Sequence, residues 1–125
     1  MTRLHSLPFL AAALFAGCGQ SVGDQARKLG NRAFTPQAWA AATDVQRGAM
    51  TASLLKTQAM THLHRKDVES LLGRPTGYYN YDTNPAYVVG PATVESIYAH
   101  GYLLVLETSK NDGKVKRVFF VPEVQ

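Results

Sequence analysis

The sequence predicts an α+β domain in which two helices pack on a three-stranded antiparallel sheet, in the order ααβββ, over residues 34–125. Three observations carry this. Apolar residues recur at helical spacing in two segments ahead of Pro75: Val45, Ala49, Ala52 and Leu55, then Val68, Leu71 and Leu72. Beyond Pro75 the pattern changes to short runs rich in β-branched and aromatic residues, AYVV, YLLVLET and VKRVFFV. The last two runs flank Asp112-Gly113, a hairpin turn signal. Helices followed by a run of strands read as a layer of helices on one face of an antiparallel sheet.

The composition is that of one globular domain: 125 residues, 46% apolar and 18% charged. The formal charge is +4. The basic residues are scattered along the chain, whereas a nucleic-acid groove uses a dense basic stripe with interleaved aromatics. The expectation is therefore a solvated surface, with no nucleic-acid partner.

Residues 1–17 begin with Arg3, continue as an apolar run from Leu7 to Phe15 and close on Ala16 and Gly17. That is the layout of a secretory signal peptide. The apolar run is about half of the ~20 residues a spanning helix needs. Cys18, the chain's one cysteine, follows directly. LFAGC resembles the lipobox of bacterial lipoproteins, which implies cleavage before Cys18 and lipidation of its thiol, with palmitate among the attached acyl chains. Phe15 departs from the aliphatic residue usual at its place, with Leu14 adjacent. Asp is absent after Cys18, and by the same resemblance this implies an outer-membrane anchor with the domain facing the periplasm. The mature chain then has no disulfide and depends on packing alone.

Residues 18–33 combine the lipidated Cys with a Gly-, Gln-, Ser- and charge-rich stretch, predicted to be a flexible tether. Thr35-Pro36 is a helix-start signal, and Trp39 is expected to anchor this opening segment to the core. Thr43 caps the first main helix from Asp44, whose apolar stripe is widened by Met50 and Leu54. Gly48 weakens that helix by up to about 1 kcal/mol relative to Ala and permits close packing against a neighbour. The second helix, in THLHRKDVESLLGRP, stops at Gly73 and Pro75. TGYYNYDTNP reads as a turn-rich aromatic stretch. In the strand YLLVLET, Tyr102, Leu104 and Leu106 share one face and Leu103 and Val105 the other. Both faces are apolar: one takes the helices, and the other is either covered by the tether and the Tyr-rich loop or left open for a partner.

Several runs together, RGAMTASLL, HRKDVESLLGRP, YVVGP and GYLLVLETSKNDGKVKRV, resemble the SmpA/OmlA family of small outer-membrane lipoproteins, the BamE-like fold. The similarity covers roughly residues 43–120. Its strongest elements are Asp67, Val68, Leu71, Leu72, Gly73 and Pro75, then Gly113, Lys114 and Val115. Where that family has a small residue and a hydroxyl cap before its second helix, this chain has His62 and His64. A lost cap costs about 1 kcal/mol unless another group replaces it. The resemblance implies a role in the outer-membrane protein assembly machinery. The same two-helix, three-strand unit also resembles the repeat of β-lactamase inhibitor proteins.

Catalytic chemistry finds little in the chain. His62, His64 and Asp67 fall short of the three or four tetrahedral ligands of a zinc site, and no second cysteine exists to complete one. Ser96, His100 and Glu95 could form a nucleophile set, but no nucleophile elbow accompanies them. The reading is a non-enzyme with no cofactor and no metal. The aromatic cluster Tyr78, Tyr79, Tyr81 and Tyr87 is the candidate recognition surface, because Tyr combines a large ring with a hydrogen-bonding hydroxyl. Arg74, Tyr78, Tyr79 and Tyr81 are expected to form one exposed patch that meets another envelope protein, as an accessory of outer-membrane protein assembly. The alternative is an inhibitor-like or glycan- and peptidoglycan-binding periplasmic module.

Overall fold

The computed structural model describes residues 20–125, and of residues 81–83 the backbone alone. The expected signal peptide and Cys18 lie outside the described residues. The helices are α1 (Val22–Arg27), α2 (Pro36–Ala40), α3 (Asp44–Thr57) and α4 (Arg65–Leu72), with a 3-10 turn at Met60–His62 ahead of α4. The strands are β1 (Gly77–Tyr79), β2 (Tyr81–Val89), β3 (Tyr102–Thr108) and β4 (Val115–Val121), in one antiparallel sheet of order β1-β2-β3-β4.

The fold is α+β as expected, but the sheet has four strands instead of three. The extra strand lies in the stretch read as turns. Asn80 adopts φ 64°, a left-handed value that Asn tolerates better than most residues, and this folds Tyr79 back onto Tyr81. Gly77 then pairs with Ala86 and Tyr78 with Pro85. Pro fits there because β1 is a three-residue edge strand, where little of the ladder depends on the missing N–H.

The segment expected to be a flexible tether is also corrected. Ser21 caps α1 by accepting from the Asp24 amide, and Gln25 and Ala26 are buried. Gln25 Oε1 accepts from the Val124 amide at 2.9 Å, and Gln20 Nε2 donates to the Val124 carbonyl at 2.9 Å. Two polar side chains thus hold the start of the described chain against its end.

The caps of α2 and α3 are those the sequence offers. Thr35 accepts from the Ala38 amide, and Thr43 and Gln46 form a reciprocal capping box. At α4 the expected hydroxyl is absent, and His64 and Asp67 form a capping box in which the Asp67 carboxylate accepts from the His64 amide at 2.9 Å. Gly73 ends α4 at φ 80°.

The buried face of α3 differs from the expected stripe. Gly48, Met50, Thr51 and Leu54 face the core, while Val45 is 58% exposed. Ala49 meets the α1 side instead, opposite Gly30, and Ala52 and Leu55 line a groove with Gly23. Helix α3 packs on the sheet with one side and with another on the α1 segment, which lies beside it against β4, so it needs small or apolar residues on two sides. Gly48 serves the close approach: a Cβ there would stand 2.9 Å from the Gly90 nitrogen.

The main core lies between helices and sheet and includes Trp39, Met50, Leu54, Val68, Leu72, Tyr87, Val89, Leu104, Leu106 and Phe120. Trp39 is fully buried; its Nε1 donates to the Leu72 carbonyl at 3.1 Å, and its ring meets those of Phe34 and Tyr87 edge-on. It joins α2, α4 and the sheet, as expected of an anchor.

Candidate functional site

The second face of the sheet carries a cluster of its own: Ala86, Leu103 and Val105 are fully buried, with Val88, Phe119 and Val121 half-buried around them. Alternation along β3 produces this division, with Leu104 and Leu106 on the helix side and Leu103 and Val105 opposite. No helix covers this face among the described residues. Two tyrosines close it. Tyr79 comes over the sheet from β1, its ring 5.2 Å from Phe119 and 5.3 Å from Tyr98. The small side chain of Ala86 and the absence of one at Gly77 leave the room; a Cβ at Gly77 would stand 2.7 Å from Leu103 Cδ1.

Tyr98 belongs to the connection from β2 to β3, residues 90–101. The turn there is tied by Ser96, whose Oγ accepts from the amides of Tyr98 and Ala99, and by the pairing of Glu95 with His100. The connection faces its apolar side inward at Tyr98 and leaves Ile97 93% exposed. An Ile side chain kept in water forgoes about 1.5–3 kcal/mol of burial.

The expected patch is divided by the strand. Tyr78 is 55% exposed on the helix-side face beside Pro85, and Arg74 is exposed on the α4–β1 connection. Tyr79, one residue further, points to the other face and is half-buried in the second cluster. The expectation that two of the three tyrosines join Arg74 in one exposed patch is therefore corrected for Tyr79; the side chain of Tyr81 lies outside the described residues. Tyr87 is core: its hydroxyl donates to the Gly73 carbonyl at 2.8 Å, and burial, helped by the Glu69 charge, pushes the phenol well above its ordinary range. The sequence signal that would have found Tyr98 and Ile97 is the doubly apolar β3, which demands a second cover.

Among the described residues no group of three or more His, Cys, Asp or Glu side chains is placed to hold a metal ion. His64 stands at the start of α4, and His62 is exposed in the turn before it. Ser96 Oγ is engaged in its turn. A shallow cavity of about 350 Å³ opens between the start of α4 and the β3–β4 turn, with Arg65, Lys66 and Lys110 among its walls. Asp112 also lines it, and the Lys114 amide that its carboxylate accepts at 3.0 Å holds that carboxyl below its usual range. No helix among the described residues is long and apolar enough to cross a membrane.

Comparison with protein-family models, with curated proteins and with solved structures finds no significant match to the chain.

Proposed function

We propose that the chain is an outer-membrane lipoprotein, acylated at Cys18 and facing the periplasm, that acts as a non-catalytic protein-interaction module of the SmpA/OmlA kind, accessory to outer-membrane protein assembly. The lipobox-like LFAGC supports the anchor, and the helix-two and hairpin motifs support the family. The observation that carries the interaction reading is the second sheet face. Its cover is aromatic and thin, with Phe119, Val88 and Val121 half-buried at its margins and Ile97 projecting from the connection above it. Half-buried apolar side chains beside an exposed Ile, with the Arg117 guanidinium 4.3 Å from the Phe119 ring, make a mixed aromatic and Arg surface of the kind that partners bind. The recognition surface thus moves from the Arg74–Tyr78–Tyr79–Tyr81 patch to the side of the sheet where Tyr79 and Tyr98 meet.

The test is photo-crosslinking in cells from a residue introduced at Ile97, with exposed Glu69 on the helix side as the control position. A discrete envelope-protein adduct from position 97 and none from 69 supports the reading. Equal, diffuse labelling from both removes it. For the anchor, Cys18→Ser shifts the protein from the membrane fraction to the soluble periplasm; wild-type protein that incorporates no labelled fatty acid refutes acylation.

A further inference from the structure

The distance between the expected anchor and the first fixed residue has a consequence for how the domain sits. Gln20 is already bonded to Val124, and Ser21 is the N-cap of α1. Successive Cα atoms are 3.80 Å apart, so Cys18 lies no more than about 8 Å from Gln20 and about 11 Å from Ser21, whatever path the chain takes. A free tether to residue 33 would reach roughly 50 Å at 3.3–3.6 Å per residue. The folded helix removes most of that freedom.

We propose that the α1 side of the domain rests on the phospholipid surface, with the groove between α1 and α3 against the headgroups, and that the second sheet face is turned away from the membrane. This rests on the acylation of Cys18. An acyl-bearing residue sits at the hydrocarbon boundary, so a link of about 8 Å leaves the start of α1 within the headgroup layer. The surface around that point fits an anionic bilayer. Lys28, Arg32 and Lys56 are exposed, and Arg27 is exposed and paired with Asp24. Basic side chains near an anionic leaflet are attracted within a Debye length. The groove itself, about 650 Å³, is lined by Ala33, Ala52 and Leu55 between the polar ends of Arg27, Asn31 and Lys56. That arrangement admits lipid headgroups at a basic rim over an apolar floor.

The opposite side follows from the layers. Helices α1 and α3 lie side by side on the helix face of the sheet, α3 against β2 and α1 against β4, and the 90–101 connection covers the other face through Tyr98. With α1 on the bilayer, Ile97 and the Tyr79–Tyr98–Phe119 cluster face the periplasm, where a protein partner can reach them.

The experiment uses full-length protein carrying one added thiol, Lys56→Cys or Ile97→Cys, since acylation occupies Cys18. Incorporation of labelled palmitate is measured first. The purified lipoprotein, labelled with a fluorophore on the new thiol, is placed in phosphatidylglycerol-containing vesicles whose headgroups carry a quencher. The expected result is loss of emission at position 56, none at position 97, and recovery at 56 when a Gly-Ser insert between Gly19 and Gln20 lengthens the link. Asn31→Cys and Glu95→Cys, both at exposed positions, provide a second near-and-far pair should either first variant fold poorly. Palmitate incorporation with equal quenching at the two positions, or with quenching at 97 alone, overturns the orientation and leaves the anchor standing. Absence of palmitate overturns both.

Discussion

Replacing Gln25 with Leu tests whether α1 belongs to the folded domain. Leu retains most of the bulk but cannot accept from the Val124 amide, a buried bond of 2.9 Å. An orphaned buried N–H costs about 1–3 kcal/mol. The other Gln25 bond, Nε2 to the Gln20 carbonyl, is 3.4 Å long and adds little. Leu also recovers some transfer free energy that the amide forgoes, of order 1 kcal/mol. The net expectation is a loss of up to about 2 kcal/mol, and each kcal/mol lowers Tm by about 4–8 °C in a domain near this size. Gln20→Ala removes only the half-exposed bond to the Val124 carbonyl and should cost less than about 1 kcal/mol. Thermal and urea melts measure the global loss, and hydrogen exchange at the Val124 amide reports the local one. If Gln25→Leu melts with wild-type protein and the Val124 amide exchanges no faster, α1 is not docked and the link from Cys18 to the domain is not short.

Other outcomes follow from single positions. Gly73→Ala and Gly73→Val should destabilise alike, by about 1–3 kcal/mol, because nothing lies within 4 Å of a Cβ there and the penalty is the φ of 80° itself; a much larger loss for Val in urea melts would contradict this. Gly48→Ala sets a helix-propensity gain of up to about 1 kcal/mol against an overpacking cost of about 1–3 kcal/mol. The contact at 2.9 Å is with Gly90 backbone, which also donates to the Asp44 carbonyl, so a net loss is expected, and a raised Tm would refute it. Tyr87 has a folded pKa raised above its unfolded value, so its contribution to stability is complete below about pH 10 and declines as the pH rises beyond that. Tyr87→Phe should cost about 1 kcal/mol at neutral pH and flatten that alkaline decline; melts across pH 8–11 that remain parallel to wild type would disprove it.

The helices and the β3–β4 hairpin were legible because local chemistry states them. Thr43 with Gln46, Gly73 after the Val68–Leu72 stripe, and Asp112-Gly113 each act within a few residues. Strand β1 was not, since Gly77, Asn80 and Pro85 are turn formers and the pairing depends on β2 lying alongside. Helix α1 escaped because it contributes one apolar side chain, Ala26, to full burial and is otherwise held by Gln25, a polar residue whose partner is 99 residues away. Val45 was misassigned because period alone cannot tell which side of a helix meets the sheet when the other meets α1. For the candidate site, the doubly apolar β3 announced a second apolar face but left open whether the chain covers it. The tyrosine from β1 and the 90–101 connection that provide the cover are tertiary facts.

The pairing of Gln25 with Val124 also orders events in time. Val124 lies 99 residues along the chain from Gln25, so the partner that holds α1 is made long after α1 itself. A contact closing so long a loop forms late, after the local helices and the hairpin. Helix α1 leaves the ribosome before Val124 and docks after it. In the interval α1 is undocked, and the proposed site at Cys18 would be accessible to the enzymes that acylate and cleave there. Docking then shortens the link by capturing its own far end, so the domain would change from loosely leashed to closely seated as a consequence of finishing its fold.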